Sequence, residues 1–162
     1  MAHKVPVAND ALYATAEFVG YSLWLSPEPA IDAELRAVIE EFATRLETPP
    51  FLPHATLLGA VLGMEEGQVI EKTKRLADTL TAIDAEISVV SSKVQFKVIP
   101  CVTSLIYGDL SSDLRKTLAQ ELGPRIDGRK MKMDKLQLWN TTGPVKNWRM
   151  VAEFHLPASL PN

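Results

Sequence analysis

The run Phe51-Leu52-Pro53-His54-Ala55-Thr56-Leu57-Leu58-Gly59-Ala60-Val61-Leu62 decides how this chain folds. A proline ahead of it and an apolar stretch through it make it a strand that runs to about Leu62. Helical patterns lie on both sides. Upstream, apolar residues at Ile31, Leu35, Val38, Phe42 and Leu46 recur at spacings of three and four. Thr48-Pro49-Pro50 stops that helix, because a proline ring cannot continue it. Downstream, a helix over roughly Glu65 to Leu80 carries Val69, Thr73, Leu76 and Leu80 on one side.

Further out, Phe18 to Leu25 reads as a strand ended by the Ser26-Pro27-Glu28-Pro29 turn. Strands are predicted over Ile83–Val90 and from Val94 to Val102 or beyond. A helix follows over Asp113–Leu122, with Leu114, Leu118 and Leu122 inward, Ser111 or Ser112 as N-cap, and Gly123-Pro124 closing it. Met131–Trp139 and Arg149–Leu156 are the last strands, joined by Asn140-Thr141-Thr142-Gly143-Pro144. No repeat of fixed period, low-complexity tract or linker interrupts this order. Mixed elements with antiparallel-friendly neighbours give an α+β fold. The expected organisation is a flexible leader over 1–17 and a single domain over 18–162. One segment resists: Val94 to Tyr107 is 14 residues of strand propensity broken only by Pro100, where strands usually stop at about 5–6. It reads as two strands joined end to end with their connection missing.

Composition narrows the function. A net charge of −3 and a pI near 5.6 argue against a broad nucleic-acid surface, which needs clustered excess Lys and Arg. A local phosphate site needs only one or two donors and remains open. Cys101 is the single cysteine, so no internal disulfide and no cysteine-based zinc site can form, and a reducing compartment fits. No stretch approaches the about 18 apolar residues of a membrane span, so a cytosolic protein is expected.

Within the deciding strand, side chains at i and i+2 share a face, so His54 and Thr56 point at one spot. A histidine that passes a proton, beside a hydroxyl that holds an oxyanion, suits attack at phosphorus. Such chemistry uses two of these motifs, and one is written here. His155, in Phe154-His155-Leu156-Pro157, has no hydroxyl two residues on and falls with Glu153 on the polar side of the last strand, so it reads as a surface histidine. His3 lies in the leader. Trp24 and Tyr107 can either stack on a nucleobase or fill core. Trp139 and Trp148 read as packing for the terminal hairpin, and Cys101 as a small buried hydrophobe. Arg125, Arg129, Lys130 and Lys132 form a basic cluster that reads as solvated loop, with a phosphate role as the alternative.

Taken in order, Tyr21-Ser22-Leu23-Trp24-Leu25, Phe51-Leu52-Pro53-His54-Ala55-Thr56, Leu105-Ile106-Tyr107-Gly108-Asp109-Leu110-Ser111, Leu136-Gln137-Leu138-Trp139 and Trp148-Arg149-Met150-Val151-Ala152 carry a resemblance. The chain resembles the two-histidine (2H) phosphoesterase superfamily, and within it the fungal and plant 2′,3′-cyclic-nucleotide phosphodiesterases, from about Phe18 to Pro157. The resemblance implies a two-lobed fold of antiparallel sheets with flanking helices around a central cleft. It implies a metal-independent hydrolase, without cofactor, acting on 2′,3′-cyclic nucleotides or on ADP-ribose 1″,2″-cyclic phosphate, a by-product of tRNA splicing. It further implies a monomer that forms no stable nucleic-acid complex, is cytoplasmic or alternatively peripheral to Golgi membranes as in some fungal relatives, and uses His54 and Thr56 in catalysis.

Family members carry a second His-x-Ser/Thr just before the stretch matching Leu105–Leu110. Counting back from Tyr107 places Ser104 at its hydroxyl and Val102 at its histidine, with Thr103 as the hydroxyl if the register slips by one. Thr103, Ser104 and Tyr107 are therefore the implied phosphate-binding residues. The crossover helix that relatives have before this motif is absent, which gives the fused strand and the missing histidine one explanation, a deleted segment. The alternative to an enzyme is an inactive relative that binds phosphorylated nucleotides.

Overall fold

The computed structural model describes residues 19–50, 52–88, 90 and 110–159. Among them the order is β1 (Tyr21–Pro27), α1 (Pro29–Leu46), β2 (Ala55–Val61), α2 (Glu66–Ala77), β3 (Ile83–Glu86), α3 (Ser112–Ile126), β4 (Lys130–Asn140), a 3-10 turn (Val145–Asn147) and β5 (Arg149–His155). The strands form one open antiparallel sheet, so the fold is α+β. Its order is β2-β1-β4-β3, and β5 pairs with β4 as well. β4 is long enough to take two partners on one side: β3 meets Lys130–Met133 and β5 meets Lys135–Asn140. β3 and β5 thus abut end to end. Their junction is tied by Ala82 N donating to Pro157 O at 2.9 Å and Leu156 N donating to Asp134 O at 2.8 Å.

Alternation along the strands sorts the side chains into two faces. Leu23 and Leu25 of β1 and Leu136 and Leu138 of β4 form one, packed with Val69 and Ala77 of α2. Trp24 of β1 faces the other way and packs with Ile39 of α1. A further core joins Leu35, Val38, Phe42 and Leu46 of α1 to Leu118, Leu122 and Ile126 of α3. Gly20 is required where the chain enters β1, since a Cβ there would lie 2.3 Å from the Val61 carbonyl oxygen and its φ is +96°.

Several boundaries differ from the sequence expectation. β1 continues through Pro27, and α1 starts at Pro29, a residue suited to a first helical turn. Glu47, in the left-handed conformation at φ 54°, ends α1 before the prolines are reached. On α2 the buried side chains are Val69, Thr73 and Ala77, whereas Leu76 is exposed. β3 ends at Glu86; Ile87 still hydrogen-bonds Gly128 and Arg129 and, like Val90, packs on the α1–α3 core. Ser111, not Ser112, caps α3, accepting from Leu114 N at 3.2 Å. Gly123-Pro124 does not close that helix, which runs on to Ile126. The buried Ile126 side chain, 1% exposed, holds the last turn against α1. The Val94–Tyr107 run, with Cys101, lies outside the described residues.

Candidate functional site

β1 and β2 pair with two irregularities. One step along β1 from Leu23 to Trp24 corresponds to two along β2, from Leu58 to Thr56. A second bulge lies between the Tyr21–Val61 and Leu23–Leu58 pairs, where Ala60 takes a positive φ of 56°. The register places Trp24 opposite Thr56, on the face that also receives His54. His54 sits immediately before the first residue of β2 and stacks on the Trp24 indole, with ring centroids 3.7 Å apart and planes 13° from parallel.

The imidazole is 4% exposed. Its Nδ1 lies 2.7 Å from the Leu52 carbonyl oxygen. A carbonyl only accepts, so Nδ1 carries the proton and the neutral ring keeps Nε2 as its basic nitrogen. Burial pushes the His54 pKa down to about 4, against a smaller lift from the Leu52 carbonyl. At neutral pH this histidine is uncharged. Thr56 is exposed.

Trp24 is 4% exposed and belongs to the core. β1 lies between β2 and β4, and Trp24 has a ring neighbour from each: His54 from one side and Trp139 from the other, at 4.6 Å and 23°. Trp148 joins at a tilt, 6.0 Å away, and donates its indole N–H to the Gly143 carbonyl. Trp139 Nε1 donates to Gln137 Oε1 at 2.9 Å, and Gln137 Nε2 donates to Glu153 Oε2 at 2.6 Å. Thr56, Trp24, Gln137 and Glu153 are successive register partners across four strands.

Gln137 and Glu153 were not singled out as partners of the site from the sequence. The signal was present in Lys135-x-Gln137-x-Trp139, which alternates with Leu136 and Leu138 and marks a polar face of β4. Lys135 belongs to the same face, opposite Ser26 on β1 and His155 on β5. Its Nζ lies 3.4 Å from the Pro27 carbonyl oxygen and 3.6 Å from Asp134 Oδ1. His155 is exposed beside Glu153 on the last strand. Two strands separate it from β2, roughly 14 Å between backbones at about 4.8 Å per strand.

Three of the four basic residues of the cluster form ion pairs: Arg125 with Glu41, Arg129 with Glu34 and Lys132 with Asp84. A shallow depression of about 440 Å³ lies at the β3 end of the sheet, lined among others by Glu28, Asp84, Glu86, Lys130 and Lys132. It does not include His54. Thr103, Ser104 and Tyr107 lie outside the described residues, so of the candidate set only His54 and Thr56, two residues apart in the chain, are described.

No protein-family model matches the chain, and no curated protein does. Among the described residues no group of three or more His, Cys, Asp or Glu is arranged to hold a metal ion. No helix there is long and apolar enough to cross a membrane.

Proposed function

We propose that this chain is a 2H-type phosphoesterase that opens 2′,3′-cyclic nucleotides or ADP-ribose 1″,2″-cyclic phosphate, with His54 as general base. The observation that carries this reading is the fixed tautomer of His54. With Nδ1–H held by the Leu52 carbonyl, Nε2 is the nitrogen able to take a proton from water. The hydroxide so generated attacks phosphorus, and Thr56 donates to a non-bridging oxygen as charge builds there. The P–O bond to one ribose oxygen breaks, and that oxygen needs a proton. In a complete 2H site a second histidine supplies it; here the matching position is Val102, so the proton comes from water. Losing such a donor lowers the rate about 10²–10⁴-fold. A bound phosphate anion favours the imidazolium, and so strengthens His54 as a base when substrate is present. In this reading the sheet is part of a two-lobed fold around a cleft.

A second reading has its own support. An imidazole 4% exposed, neutral and stacked on tryptophan, is what a relative that has lost catalysis retains. Hydrolysis of 2′,3′-cyclic AMP without added metal, compared with the His54→Ala variant, separates the two. Slow turnover that His54→Ala lowers by about 10²-fold or more is expected of the enzyme. Equal background rates with retained nucleotide binding identify the inactive relative.

A further inference from the structure

We propose that Trp24 is a positioning residue for His54, backed by Trp139 and anchored through Gln137 to Glu153. The proposal rests on His54 being the proton acceptor of the site. The hydrogen bond from Nδ1 to the Leu52 carbonyl fixes one direction in the plane of the imidazole, but a single bond does not by itself set the tilt of the ring. The indole face of Trp24, 3.7 Å away and 13° from parallel, restricts that tilt. Bond and face both constrain where Nε2 points.

Trp24 can hold a neighbour only if it is held itself. Trp139 stacks on it from the β4 side, and the N–H of Trp139 is pinned at 2.9 Å to Gln137 Oε1. The Gln137 amide cannot turn over without losing both this bond and its 2.6 Å bond to Glu153. At 9% exposure it would leave buried polar atoms unpaired, at a cost of about 1–3 kcal/mol. An apolar filler would pack Trp24 as well. A tryptophan pinned by an oriented amide additionally sets an angle, which is what a proton acceptor needs, since small misplacements cost about 10²-fold in rate.

The test uses Trp24→Phe, Trp24→Leu and Trp139→Leu, with the NMR titration of His54, assigned with His54→Gln, beside kcat and KM for 2′,3′-cyclic AMP. Trp24→Phe keeps an aromatic face and is expected to stay near wild type in both readouts. Trp24→Leu is expected to move the His54 midpoint up toward the ordinary value of about 6.5 and to lower kcat about 10²-fold with KM little changed. Trp139→Leu, which leaves the His54 contact in place, is expected to shift the same way by less, and it carries the test if Trp24→Leu does not fold. A folded Trp24→Leu or Trp139→Leu variant whose His54 titrates as in wild type overturns the proposal. If wild type shows no hydrolysis, the proposed function fails on its own, and the titration still decides whether Trp24 positions His54.

Discussion

At the scale of single residues, burial of a neutral histidine makes the protein acid-sensitive in a definite window. The native His54 pKa of about 4 lies below the value of about 6.5 in an unfolded chain. Between these values the unfolded state binds a proton that the native state refuses, so stability rises with pH there. The contribution is complete above about pH 6.5 and is lost as the pH falls toward 4, amounting to about 3 kcal/mol at 1.36 kcal/mol per pKa unit. Urea unfolding of wild type and His54→Gln at pH 7.5 and 4.5 checks this: wild type is expected to lose more stability between the two. Parallel losses would show that His54 is not buried neutral. Sequence spacing could place His54 and Thr56 side by side, because that relation is local. It could not place Trp24 on His54, because their contact depends on how β1 and β2 pair, and a bulge at Leu57 shifts that pairing.

Among the elements, α3 shows tertiary packing overriding a local stop signal. Gly123 and Pro124 are strong punctuation in sequence, yet the helix passes through both to bury Ile126. Two consequences follow for stability, each read by thermal or urea unfolding. Ile126→Ala is expected to cost about 2–5 kcal/mol, as other large-to-small changes in cores do. Pro124→Ala is expected to stabilise, by about 1 kcal/mol, because it relieves the clash of the ring with the preceding turn. A destabilised Pro124→Ala would mean that proline's stiffening of the unfolded chain outweighs that clash. The paired clamps between α1 and α3, Arg45 with Glu121 and Arg125 with Glu41, lie over Phe42. They are well exposed, so they add little on their own, and the helix pair depends on its apolar seam. That seam was legible in the spacing of Leu35, Val38, Phe42 and Leu46. Leu76, expected on the inner side of α2, is exposed and its neighbour Ala77 is buried instead, because adjacent positions at the edge of a helical stripe trade places with a small change of helix rotation.

For the whole molecule, the α+β class followed from the order of periodic segments, and the sheet order did not, since nothing local says that β4 lies between β1 and β5. The leucine-rich cluster on one face of the sheet and the cluster between α1 and α3 both receive Met131. Unfolding is therefore expected to be one transition: tryptophan fluorescence, which reports the ring stack, and far-UV circular dichroism, which reports the helices, should share a midpoint. Separate midpoints would show that the two clusters melt independently. The doubly bulged β2 has a consequence for how copies of the chain meet in concentrated solution. Leu57, Leu58 and Leu62 are exposed at 45%, 51% and 58%, which makes this edge sticky. The bulges and the left-handed turn at Ala60 break the even ladder of donors and acceptors that an incoming strand must match. Among the described residues β2 is the edge strand of this sheet, and an irregular edge is a poorer template for strand addition than a flat one.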